Sequence, residues 1–260
     1  MDATERFTEV VQRAEADVPL DVACLLIAAH AHPSLDVDLR VDQLDTLAHD
    51  VGADDARMLS RRLFGDAGFT GNTVDYGDPR NSCLDEVLDR RLGIPITLSV
   101  LMMEVGRRRG IEVSGVGMPG HFLVGAPTDG GRTWFDPFNG GVELDVDGCA
   151  ARFGELFGDT PFRVEYLSPV GPVAILDRML TNLQHTLVAR DPARAPWPTR
   201  LRLRLPGVTP VRRAELAGLL GSLGQFSEAA RELDAVAQEL SGTGAEEAAQ
   251  AAARLRARAN

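Results

Sequence analysis

Three short segments of the chain carry the residue types of nucleophilic catalysis: Gly93-Ile94-Pro95 ahead of a long apolar run, Pro119-Gly120-His121-Phe122, and Trp134-Phe135-Asp136-Pro137. A histidine and a carboxylate beside a helix N-terminus are what an activated cysteine needs. The helix dipole and imidazolium stabilise the thiolate, and the carboxylate orients the ring. The helix-start position, however, holds Pro95, whose side chain has no heteroatom with which to attack. His121 and Asp136 flank a turn centred near residues 128–130, so in a two-stranded hairpin their side chains meet across the ladder to within about one residue of register. A purely architectural reading stands beside this one: His121 as a core or edge histidine bonded to a backbone carbonyl, and Asp136 opening the turn Asp-Pro-Phe-Asn-Gly-Gly.

Among other nucleophiles, Cys83 is the best thiol, since a helix capped by Asn81 or Ser82 puts it in the first turn, where the dipole lowers a thiol pKa. Against it, an antiparallel pairing of that helix with the next places Cys83 near the far end of the latter, away from His121. A small buried apolar role is the competing reading for Cys83. Thr97 and Ser99 sit within the helix that Pro95 opens, where hydroxyls back-bond to carbonyls. Cys24 lies in an all-apolar stretch and Cys149 follows Asp147-Gly148; neither has a recognisable partner. The cysteines form no CxxC or Cys/His cluster, so neither a metal nor a disulfide framework is expected, and a reducing compartment fits. Gly115-Val116-Gly117 and Gly140-Gly141 lack the context of phosphate-binding loops, so no cofactor is expected either.

The elements that must position these groups are legible from periodicity. Residues 4–66 show helical apolar spacing, with Leu20 to Ala31 apolar nearly all round and His30 and His32 at its frayed end. Residues 65–80 read as loop, dense in Gly, Asn and Asp. A helix then runs to about Arg91 and ends at Gly93, and Pro95 suits the first turn of the next, which ends in Arg107-Arg108-Arg109-Gly110 as surface charges complementing the dipole. Ile111 to Met118, Phe122 to Gly125 and Thr133 to Asp136 read as strands, with a turn at Thr128-Asp129-Gly130-Gly131. Asp145 caps a short helix carrying Cys149, Phe153, Leu156 and Phe157. From Val173 the chain is helical again, with Ile175, Leu176, Met179, Leu180, Leu183 and Leu187 on one stripe. Arg200, Arg202 and Arg204 alternate with leucines between prolines and read as an amphipathic connector; Trp197 is either an exposed anchor or a lid on the core. Residues 212–240 resemble one tetratricopeptide-like helix pair turning at Gly224.

With 260 residues, 44% of them hydrophobic, the chain can bury a full core as one elaborated domain or two modest ones. Its net charge is −11 and it contains no lysine, which disfavours nucleic acid and anionic membrane as partners. No apolar run approaches a membrane span, and Met1-Asp2-Ala3-Thr4-Glu5 lacks the pattern of a signal peptide, so a cytoplasmic location is expected. Abundant Ala, Arg, Gly and Asp without lysine match the bias of a GC-rich bacterial genome.

The run from Asn81 to Gly141, including NSCLDEVLDRRLGIPITLSVLMMEVGRRRG, GVGMPGHFLV and FDPFNGG, resembles the transglutaminase-like superfamily, and more closely its bacterial SirB-type branch. That resemblance implies an α+β, papain-like core with a small antiparallel sheet packed on a central helix. N-terminal helices over 1–70, the core over 71–170 and tetratricopeptide-like helices over 171–260 make up the expected organisation. Carried over position by position, His121 matches the family histidine, Asp136 its aspartate, and Gly93-Ile94-Pro95 its Gly-x-Cys. The implied function is a non-catalytic protein-interaction or accessory factor, a pseudoenzyme with a protein partner. The alternative is a cysteine-dependent hydrolase or acyltransferase using Cys83 with His121 and Asp136, or a hydrolase in which His121 activates water.

Overall fold

The computed structural model describes residues 2–259; Met1 and Asn260, the outermost residues of the two expected flanking segments, lie outside that range. Asp2 and Glu5 form a reciprocal capping box that starts α1 (Ala3–Val11). α2 (Leu20–Ala31) is buried on nearly every side, as its composition requires. Asp36 caps α3 (Val37–Val51), which Gly52 ends in the left-handed region, and Asp55 caps α4 (Ala56–Arg61), which widens into a π-turn over Arg62–Asp66. A short strand β1 (Thr70–Gly71), a 3₁₀ turn at Pro79–Ser82, α5 (Leu84–Arg90) and strand β2 (Leu92–Gly93) lead to the central helix α6 (Pro95–Arg109).

A four-stranded antiparallel meander follows: β3 (Ser114–Val116), β4 (Leu123–Thr128), β5 (Gly131–Asp136) and β6 (Val142–Leu144), paired in that order. Alternation along its strands sorts side chains between two cores. Val124, Ala126 and Phe135 join the main core with α2, α3, α6, α8 and α9, whereas Leu123 and Trp134 face a smaller one built with Cys149 and Phe153. That smaller core lies under α7 (Val146–Phe157), capped by Asp145. Next come α8 (Pro172–Arg190), α9 (Pro196–Arg202), α10 (Pro210–Ser222), α11 (Phe226–Glu239) and α12 (Thr243–Ala259). The last three share a third core of Ala217, Ala230, Leu233 and Ala252. Arg213 at the start of α10 reaches Glu239 at the end of α11, and Arg258 at the end of α12 covers the Phe226 ring at the start of α11, so both pairings are antiparallel.

Several local expectations change. Neither Asn81 nor Ser82 caps α5: both belong to the 3₁₀ turn, Cys83 holds the N-cap position without a side-chain bond, and Arg91, at φ 56°, ends the helix. Gly93 pairs instead with Gly71 in a parallel contact inside the supposed loop. Ile111 and Val113 precede a strand only three residues long, and β6 carried too little alternation to be noticed. The alternating Arg/Leu segment is α9, whose Arg202 is 2% exposed and paired with Asp177 and Gln184. At the end of α6, Arg108 is not a surface charge; it joins buried Asp21 and Glu104 with Asp45. His30 and His32 are not frayed: His30 Nδ1 donates to the Leu26 carbonyl, so its Nε2 accepts from Thr4 Oγ1 while its ring stacks on Trp197, and His32 bonds Asp85.

Candidate active site

Asp136 closes β5, and its carboxylate has no exposed surface. Its Oδ1 lies 2.9 Å from His121 Nε2, and since an ionised carboxylate only accepts, that ring nitrogen donates. Nδ1 is thereby left as the nitrogen able to face a reacting group. Asn139 adds bonds from its backbone N–H, 3.3 Å to Oδ1, and from Nδ2, 2.8 Å to Oδ2, while Arg152 Nε of α7 stands 3.2 Å from Oδ2. Burial pushes the Asp136 pKa up, but the His121 bond, Asn139 and the Arg152 charge outweigh it and hold the group below the usual carboxylate range.

Both readings of Asp136 are thus realised in one residue. It binds His121, and it also caps the 3₁₀ turn Pro137–Asn139 through Asn139 N–H, after which Gly140 and Gly141 take φ near 70°. A side chain on Gly141 would start 2.3 Å from Ser60 Oγ, whose hydroxyl donates to the Gly141 carbonyl. The register differs from the expected one. Thr128 pairs with Gly131 around a two-residue turn, so the residue opposite Asp136 would be Leu123, and His121, two residues earlier, is a diagonal neighbour on the same face.

His121 precedes β4, and its position is fixed by a half-buried arginine. Arg178 of α8 donates to the Met118 carbonyl at 3.1 Å from both Nη atoms and to the His121 carbonyl at 2.7 Å, and stacks over Phe122. Burial lowers the Arg178 pKa. Phe138 meets the His121 ring edge-on at 6.4 Å, leaving the histidine 6% exposed. Asn139 could have been found from its spacing to Asp136 in the turn; Arg152 and Arg178 arrive from distant helices and leave no local signal.

Pro95 is the first residue of α6, as expected, and Thr97 completes the start: its Oγ1 accepts from Ile94 N and donates to the Asn81 carbonyl at 2.7 Å. That last bond overturns the argument that placed Cys83 at the far end of the central helix. The start of α5 is tied to the start of α6, because β2 lets the chain double back. Its place at the N-cap of α5 does not make Cys83 an activated thiol. Burial, then Asp85 and Glu86, push its thiol far upward, and its Sγ is 3.8 Å from the Pro79 carbonyl. Cys149 is pushed up to about 12 by burial, then by Asp145 and Asp136, and Cys24 rises by burial against Met179. Ser99 is fully buried. Among the described residues no group of three or more His, Cys, Asp or Glu side chains can hold a metal ion, and no helix is long and apolar enough to cross a membrane.

The chain belongs to the transglutaminase-like superfamily, whose family model matches residues 8–181, from α1 through the sheet into α8. It is 40% identical over 187 residues to a UPF0162 protein of Xylella fastidiosa, covering 67% of this chain and 66% of that relative. A UPF0162 protein of Pseudomonas aeruginosa is 32% identical over 171 residues, 62% of each chain. The human F-box only protein 21 is 32% identical over 129 residues, 46% of this chain and 20% of that one. No solved structure matches the chain. The match thus spans 66% of the length of the Xylella relative.

Proposed function

We propose that this chain is a non-catalytic member of its superfamily, a pseudoenzyme of the SirB-type branch acting in the cytoplasm as a protein-interaction or accessory factor. The observation that carries this reading is Pro95 as first residue of α6, where a transglutaminase-like Gly-x-Cys would place its thiol. All three cysteines are buried and their thiol pKa values raised, which supports the absence of a substitute. The His121–Asp136 pair then serves as an internal clasp between the loop before β4 and the turn after β5. The tetratricopeptide-like reading of α10 to α12 is supported by the hairpin turn at Gly224 and the antiparallel packing of α12 on α11, leaving a largely apolar groove of about 720 Å³. Such grooves receive apolar anchors of peptides or helices, and a net charge of −11 favours protein over nucleic acid.

An electrophilic thiol probe at neutral pH tests the reading. All three cysteines should react slowly; rapid labelling of Cys83 alone, lost in His121→Ala, would overturn it. The positional correspondence has its own test in Pro95→Cys. The new thiol should titrate well below the ordinary value of about 8.5, because helix start and imidazole both favour the anion. An unshifted titration means that Pro95 does not face His121.

A further inference from the structure

The apolar groove of about 720 Å³ has Leu233, Val236 and Leu240 of α11 as its floor and α10 and α12 as its walls. Val211 on the α10 wall is 66% exposed, and with half-buried Leu240 and Leu255 it forms an apolar strip open to water. Both walls run antiparallel to α11, and a side chain on Gly221 would start 2.9 Å from Leu255, so α10 and α12 end side by side. Charges elsewhere on these helices are paired: Arg213 with Glu232 and Glu239, and Arg256 with Asp234. On the groove's rim, Glu215 is held by Arg212 at 2.6 Å, and Arg258 lies over the Phe226 ring. The other two charges there, Glu247 and Arg254, are exposed and have no ion-pair partner among the described residues. Seven residues apart on one face of α12, they are separated by about 10 Å along the helix and do not reach each other.

We infer that a second copy of this chain covers the groove, laid face to face about a two-fold axis with α12 antiparallel to α12, a conclusion that rests on the reading of α10 to α12 as an interaction surface. Charge selects this occupant. An axis crossing α12 near Ala251, midway between Glu247 and Arg254, sets Glu247 of each copy opposite Arg254 of the other. One rotation thus makes two ion pairs and takes Val211, Leu240 and Leu255 of both copies out of water. A parallel arrangement in the same register brings Glu247 against Glu247 and Arg254 against Arg254. A helix of another protein would have to supply the reversed order of charges from its own sequence, whereas α12 already carries it. Area sets the strength. The 13 residues of α10 and 17 of α12 make helices about 20 and 25 Å long, together about 20 Å wide, so each copy contributes roughly 500 Å². About 1,000 Å² in all is the low end of specific interfaces, so the dimer is a reversible, concentration-dependent one.

Sedimentation equilibrium of the full chain over about 5–500 μM should show monomer and dimer exchanging. Glu247→Arg sets arginine against arginine at both contacts, and Arg254→Glu sets glutamate against glutamate. Each variant alone should dimerise about tenfold or more weakly than the parent. Mixed in equal amounts, the two variants recover both ion pairs, and a heterodimer should form with an affinity within about threefold of the parent's. Recovery on mixing shows that the loss came from charge and not from misfolding, since both substitutions are at exposed positions on α12. A chain that stays monomeric at about 500 μM, dimers indifferent to either reversal, or variants that fail to pair on mixing overturn the second copy as occupant. A monomeric result returns the groove to a helix of another protein, so the interaction reading outlasts it. The thiol labelling that decides the non-catalytic reading is independent of all these outcomes.

Discussion

Burial alone would lift the Asp136 pKa, yet His121, Asn139 and Arg152 draw it down, so the folded state stabilises the carboxylate more than water does. A carboxylate with a depressed folded-state pKa contributes stability that is complete above its unfolded value and lost as pH falls through the folded one. Asp136→Asn should therefore lose about 1–3 kcal/mol near neutral pH. The gap between the variant and the parent should shrink once pH drops below about 4, the ordinary carboxylate value. Urea titrations across that range check both; a constant gap at all pH values means the charge contributes nothing. The His121–Asp136 contact was legible from the position of the turn, because a hairpin folds its own flanks together. Arg152, which reaches Asp136 from α7, and Arg178, which holds the His121 carbonyl from α8, were not, because tertiary packing supplies them.

At the scale of elements, the passage from α5 to α6 departs most from what residue types suggest. Gly93 looks like a stop signal, but the helix ends at Arg91, the one non-glycine among the described residues with positive φ. A residue with a Cβ pays roughly 1–2 kcal/mol there, and the parallel contact of β1 with β2 holds it in place through the Thr70 N–H to Arg91 carbonyl bond. Arg91→Gly keeps that backbone bond and relieves the strain, though it adds freedom to the unfolded chain. A gain of up to about 1 kcal/mol in urea unfolding is expected. A loss instead would show that the Arg91 side chain carries a contact worth more than the strain. Most helix interiors were legible because apolar periodicity reports burial directly; α9, with prolines at its start and arginines alternating with leucines, was the exception. Boundaries such as this one were not, since a two-residue strand has no period to read.

Across the whole molecule, three cores of unequal quality set where the chain opens first. The main core is rich in Leu, Ile, Val and Phe, whereas the one joining α10, α11 and α12 is mostly alanine. Less apolar area leaves water there per residue, so local opening costs less. Amides of residues 210–259 should exchange with deuterium well before those of α2 and α6, and at a common rate; uniform exchange along the chain would show a single cooperative unit. The helical flanks and the mixed centre were legible from pattern alone, but the division of the sheet between two cores was not, since alternation tells that faces differ and never what covers them.

Gly71 passes so close to the turn after β5 that a methyl group in its place would lie 2.5 Å from the Phe138 carbonyl oxygen. Three stretches well separated along the chain, around Gly71, Gly93 and Phe138, therefore have to arrive together before any of them can settle, with a large loss of loop entropy at that moment. The start of the central helix is therefore expected to order late in folding rather than to nucleate it. Lengthening either intervening segment should slow assembly while leaving the finished architecture intact.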